Sequence, residues 1–130
     1  MSLAFDSSSI FEAILENKIS VLAGNYTLEL AKYELGNLVW KRSVLIKDLG
    51  RDECRKLMEI IKRTLNLMEI LDIGCHENYV AELAENLNLT FYDASYIFLA
   101  KSKDVPLVTE DRDVGSRVGG YVKVLSIKDV

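Results

Sequence analysis

The chain has 130 residues, 49% hydrophobic and 28% charged, with a net charge of −4, which excludes a disordered or fibrous chain and suits one folded domain. No apolar run approaches the ~18 residues of a membrane span, and Met1-Ser-Leu-Ala-Phe-Asp6 lacks the basic start and apolar centre of a signal peptide, so a cytoplasmic protein is expected. The negative balance excludes holding nucleic acid by bulk positive charge, but not chemistry on nucleic acid at a local site.

Leu3-Ala-Phe5 reads as a strand that ends at Asp6. Ser7-Ser8-Ser9 follow, then an amphipathic run with Ile10, Phe11, Ile14 and Leu15, where Ser9 and Glu12 fit a capping box. Asp6 is thus either the cap of a helix or an acid at a strand's carboxyl end. Ile19 to Gly24 is a strand or helix-end candidate, closed by the turn signal Gly24-Asn25. Thr27 is placed to cap a helix running to about Arg42, with Leu28, Ala31, Leu35, Leu38 and Val39 as its core stripe. Glu34 falls at the edge of that stripe, either reaching solvent or pointing into a pocket above the sheet. Tyr33 and Trp40 fall on the opposite side. They imply a protein contact, by self-association or with a partner, or else a second layer of core packing.

Residues 51 to 68 give the clearest helix, with Cys54, Leu57, Met58, Ile61, Leu65 and Met68 at spacings of three and four. Met68 to Ile73 is a strand or connector. A further helix spans about 76 to 87, with Val80, Leu83, Ala84 and Leu87 inward. Thr90 and Asp93 then stand like a capping box at the start of another helix, which leads into the apolar strand Val105-Pro-Leu-Val108 and Asp111. Arg112-Asp-Val114 reads as a short turn, Gly115, Gly119 and Gly120 as a flexible loop, and Tyr121 to Ile127 as a final strand. No linker or repeat interrupts the chain, so residues 1–130 are expected to form one domain. Strands separated by helices imply a three-layer α/β/α sandwich with a mainly parallel sheet.

In such a sheet ligands bind beyond the carboxyl ends of the strands. Cys54 and Cys75 lack metal-site spacing and His76 is the only histidine, so any chemistry falls to carboxylates. Asp6, Asp93 and Asp111 are all expected to open on the same edge. With Glu34 leaning in, the cluster suits one or two Mg²⁺ or Mn²⁺ ions rather than zinc or haem.

The ordered segments Phe5-Asp-Ser-Ser8, Tyr33-Glu-Leu-Gly-Asn37, Tyr92-Asp-Ala-Ser95 and Leu107-Val-Thr-Glu-Asp111 resemble the four signature segments of PIN-domain nucleases, especially VapC-type toxins. The resemblance spans nearly the whole chain. It implies a metal-dependent endoribonuclease, paired with a cognate antitoxin protein and usually homodimeric. By position it implies Asp6, Glu34, Asp93 and Asp111 as the catalytic acids, with Asp6, Asp93 and Asp111 on the metal. Thr109 matches the hydroxyl before the last acid, and Asp113 is a supplementary or replacement acid. Lys41, on Glu34's side of its helix, is a candidate phosphate contact. The competing expectation is a non-catalytic PIN-like module that associates through Tyr33 and Trp40. A phosphatase using Asp6 as nucleophile is disfavoured, because Asp6-Ser-Ser8 lacks a second aspartate two residues on.

Overall fold

The computed structural model describes residues 1–118 and 120–130; Gly119, expected in a flexible loop, lies outside the described residues. Five strands form one all-parallel sheet in the order β3-β2-β1-β4-β5: β1 (Ala4–Phe5), β2 (Tyr26–Leu28), β3 (Glu69–Leu71), β4 (Leu107–Val108) and β5 (Val124–Leu125). The helices are α1 (Ser7–Leu15), α2 (Leu30–Trp40), α3 (Arg51–Asn66), α4 (Glu77–Leu87), α5 (Phe91–Lys103) and the short α6 (Arg112–Arg117).

Side chains alternate across a strand, and that alternation assigns the layers. Phe5, Val108 and Leu125 face one side, where Ile10, Ala31, Leu35, Val39, Ile61 and Leu65 from α1, α2 and α3 cover them. Ala4, Leu107 and Val124 face the other, against Val80, Leu83, Ile97 and Ala100 from α4 and α5. Strand pairing keeps the faces in step, since Ala4 lies beside Leu107 and Phe5 beside Val108. The expected three-layer parallel sandwich is the fold observed.

Several local expectations need correction. The second strand is Tyr26–Leu28, not Ile19–Gly24; Ile19–Val21 is a 3₁₀ turn, and Leu22 is buried beneath it. Asn25 sets this junction, accepting Leu3 N–H on its Oδ1 at 2.9 Å and donating from Nδ2 to Val21 O at 2.7 Å. Thr27 is therefore in a strand rather than at a helix start, and its Oγ1 donates to Phe5 O at 2.8 Å. Asp6, not Ser9, caps α1, while Ser9 Oγ is drawn to Asp6 O and Val108 O at 3.0 and 2.7 Å. Gly115 lies inside α6, and the final strand shrinks to Val124–Leu125.

Beyond Trp40, α2 widens into a π-helical turn, Lys41–Ile46, which a bidentate Arg42–Asp48 pair closes at 2.7–2.9 Å. Tyr33 is 71% exposed and Trp40 49%, so neither forms a second core layer, and Val44, Leu45 and Ile46 extend the apolar surface. Among the described residues no helix is long and apolar enough to cross a membrane.

Thr27→Val keeps the strand's shape but removes the donor to Phe5 O. It should lower unfolding free energy by about 1–3 kcal/mol, read as a lower urea midpoint at unchanged slope, whereas Thr27→Ser should restore most of the loss.

Candidate active site

Asp6 follows β1 directly and Thr109 follows β4, so neighbouring parallel strands deliver them side by side at the carboxyl edge. The Asp6 carboxylate is 6% exposed and densely bonded. Its Oδ1 accepts Ser8 Oγ–H at 2.7 Å and Ser9 N–H at 2.9 Å, and its Oδ2 accepts the Thr109 hydroxyl. Each hydroxyl in turn accepts a backbone amide of the loop after β4: Glu110 N to Ser8 Oγ at 3.0 Å and Asp111 N to Thr109 Oγ1 at 3.1 Å. Burial pushes the Asp6 pKa up, against the opposing hydrogen bonds from Thr109, Ser9 and Ser8.

The loop held this way presents Asp111 as the N-cap of α6. Its Oδ1 accepts Asp113 N at 2.9 Å and Val114 N at 3.4 Å, leaving Oδ2 outside these bonds. Asp113 is exposed in the first turn of α6. Asp93 occupies the first turn of α5, where Thr90 Oγ1 accepts its amide at 3.0 Å, so the Thr90 half of the expected capping box is present. Burial raises the Asp93 pKa, and the charges of Asp111 and Glu34 raise it further. Asp93 on α5 thus lies within electrostatic reach of Asp111, the cap of α6, and Glu34 on α2. Glu34, half-buried on α2, takes the Tyr96 hydroxyl on Oε1 at 2.7 Å. Burial, that bond and the charges of Glu34 and Asp6 push the Tyr96 phenol far above its ordinary range.

Arg112 and Lys128 line one cavity with Asp111, yet neither forms an ion pair with it. The ion pairs among the described residues are Lys32–Glu29, Arg42–Asp48 and Arg63–Glu59, and none involves these four acids. Lys41 is exposed at the start of the π-helical turn, outside the lining of the groove that contains Glu34, which Ser8, Tyr33, Asn37 and Tyr92 also line. Among the described residues no three His, Cys, Asp or Glu side chains converge on a single ion position. The donor set nevertheless fits a hard divalent cation in kind. It is all oxygen, negatively charged and uncompensated, and Mg²⁺ is commonly bound through one or two carboxylates with water and substrate phosphates completing its shell.

Sequence reasoning missed Tyr96 and the relay through Ser8. Tyr96 stands three residues after Asp93 on α5 and so shares its face, which is the signal available for it. Ser8 stands two residues after Asp6, the spacing at which a hydroxyl reaches back to an acidic cap.

An all-parallel α/β sandwich with unpaired acids along its carboxyl edge has the architecture of a PIN-like protein. Residues 4–120 match the family model of the PIN domain. Exonuclease VapC9 of Pyrobaculum aerophilum is 34% identical over 97 residues, which is 75% of this chain and 69% of that protein. Ribonuclease VapC3 of the same organism is 28% identical over 135 residues, covering 94% of this chain and 98% of that protein. The crystal structure of PAE2754 from Pyrobaculum aerophilum superposes with a TM-score of 0.82 at 27% identity, over 99% of this chain and 92% of the other. VapBC2 from Rickettsia felis, bound to a DNA fragment from its promoter, is similar in fold, with a TM-score of 0.67 at 17% identity over 97% and 98% of the two chains. The chain belongs to the PIN-domain family and stands among its VapC-type members.

The raised Asp93 pKa carries a signed prediction. A folded value above the unfolded one means the native state favours the protonated acid, a contribution present at low pH and lost as pH rises through the folded value. In chelator, Asp93→Asn should therefore melt above the wild type near neutral pH. The gap should close as pH falls toward the ordinary aspartate value of 3.8.

Proposed function

We propose that this protein is a metal-dependent endoribonuclease, the toxin component of a toxin–antitoxin pair, acting through Asp6, Glu34, Asp93 and Asp111. The observation that carries the reading is the place of Asp93 at a strand edge, where the charges of Asp111 and Glu34 raise its pKa and no ion pair among the described residues reaches any of the three. Clustered acids of this kind disfavour the folded state unless a cation shares them. Membership of the VapC-type group and the names of the Pyrobaculum aerophilum relatives, an exonuclease and a ribonuclease, support nuclease chemistry.

Mg²⁺ or Mn²⁺, one ion or two, would be held by Asp6, Asp93 and Asp111 with Glu34 beside them; when bound, it supplies Lewis-acid stabilisation of phosphate charge and a lowered pKa for the attacking water. The protein's part is geometric. Ser8 and Ser9 hold Oδ1 of Asp6 and Thr109 holds Oδ2, which fixes the plane of the carboxylate; Asp111 is aimed by the N-terminus of α6, and Tyr96 fixes the Glu34 rotamer. Hydrolysis adds water oxygen to phosphorus and breaks the bond to the leaving ribose oxygen, which ends protonated. Lys41 remains a candidate for a more distant phosphate. An acidic protein of this kind should bind RNA less tightly as salt rises.

The apolar face of Tyr33, Trp40 and Val44 to Ile46 is proposed to meet protein, a second copy of the chain or the antitoxin. Exposed large aromatics on one helix side are the residue types that dominate such contacts. Replacing Tyr33 and Trp40 together with serine should weaken self-association or antitoxin binding by roughly thirtyfold or more. Sedimentation at several concentrations and a pull-down with the antitoxin read the result; unchanged behaviour in both sinks the assignment.

Cleavage of a circular single-stranded RNA with Mn²⁺ tests the activity and its internal mode together. Asp6→Asn and Asp93→Asn should each lower kcat/KM by roughly a hundredfold or more. Undiminished cleavage in both variants overturns the assignment of these acids. Failure of the wild type to bind Mn²⁺ or to cut any RNA favours a non-catalytic interaction module instead.

A further inference from the structure

A second cavity lies beside the acids on the same edge of the sheet. It encloses about 220 Å³ and is lined mainly by Leu28, Leu30, Ile73, Phe91 and Tyr92. Leu30 and Tyr92 also line the groove that contains Glu34, so the two spaces meet across the Tyr92 ring. Tyr92 is 59% exposed, Phe91 is 39% exposed, and Tyr92 directly precedes Asp93.

The lining decides what this cavity accepts. Its charged residues are Glu29 and Asp72, both acids, and Glu29 is paired with Lys32 at 3.2 Å. Phosphate is therefore repelled, and a flexible polar sugar gains little from Leu28, Leu30 and Ile73. A flat uncharged ring suits both the volume and the exposed aromatic face. Aromatic side chains of this kind stack nucleobases without regard to sequence, because every base offers a π-face.

We propose that this cavity is a nucleobase subsite of single-stranded RNA, in which Tyr92 stacks the base next to the phosphate presented to Asp93. The inference rests on the nuclease reading above and deepens it. Base stacking supplies the affinity that an acidic surface cannot draw from phosphates, and it fixes the strand's register relative to the acids. Because Tyr92 follows the exposed start of α5, its replacement leaves the core of that helix, Ala94 to Ala100, in place.

The test uses RNA carrying 2-aminopurine beside the scissile bond, mixed with wild type, Tyr92→Phe and Tyr92→Leu in Mn²⁺. Stopped-flow fluorescence reads stacking before cleavage, and steady-state assays separate KM from kcat. Wild type and Tyr92→Phe should quench the probe. Tyr92→Leu should not, and its KM should rise roughly ten- to hundredfold with Mn²⁺ affinity unchanged. An abasic residue at the probed position should impose a similar rise on the wild type and none on Tyr92→Leu. Equal quenching and equal KM in Tyr92→Leu overturn the subsite, including where that variant has lost binding to a protein partner. If the wild type cuts no RNA, the nuclease reading falls and the subsite with it, a result distinct from intact cleavage that ignores Tyr92.

Discussion

The Asp6 carboxylate is the junction on which the carboxyl edge of this protein depends. It is buried where β1 ends, and it joins three pieces of chain that are remote in sequence: the start of α1 through Ser8 and Ser9, the end of β4 through Thr109, and the loop to α6 through the amides that Ser8 and Thr109 accept. A buried carboxylate without such partners would cost several kcal/mol, on the order of the whole stability margin of a domain. Here the hydrogen bonds offset that cost, and in doing so they fix the position of Asp111 relative to Asp6. Strand pairing alone sets the spacing of β1 and β4; the hydroxyl relay sets where the acid after β4 points.

The opposite condition holds further along the edge. Asp93, Asp111 and Glu34 have neither ion-pair partners among the described residues nor the same density of hydrogen bonds, and the charges of Asp111 and Glu34 raise the proton affinity of Asp93. The fold thus contains a satisfied acid beside unsatisfied ones. Tyr96 marks the boundary. Its buried hydroxyl satisfies one oxygen of Glu34 and leaves the other to the groove. Local consistency gives way at functional positions in folded proteins, and the place where it gives way here is confined to one side of the sheet edge.

Much of this was legible in the chain because the relevant signals are local. Asp6 and Asp111 follow short apolar runs, α3 repeats at three and four, and Thr90 with Asp93 reads directly as a helix start. The second strand was not legible, for a physical reason. It has three residues, too few to display alternation, and its middle residue is a threonine whose hydroxyl suggests a cap when neighbouring chain is ignored. Its place shows only in long-range contacts, the pairing with β1 and β3 and the bond from Thr27 to Phe5 O. Ser9 was misplaced likewise, since a side chain that reaches both Asp6 O and Val108 O answers to a strand absent from its own segment. Tyr96 stayed hidden among the apolar residues of α5, because its polar end matters only once α2 lies against it.

Capping and ligation are compatible roles for Asp93 and Asp111 in this geometry. Asp111 caps α6 with Oδ1 alone, and Asp93 contributes its amide to the bond with Thr90. Helix N-termini carry partial positive charge, so an acid placed there is tolerated better than one elsewhere. In a parallel sheet, the helices that follow strands begin at the carboxyl edge, which concentrates those tolerant positions on one side of the molecule. Repelling acids can therefore be gathered at that edge at lower cost than in mid-helix, and the role that made each aspartate look ordinary in isolation is what allows them to share a site.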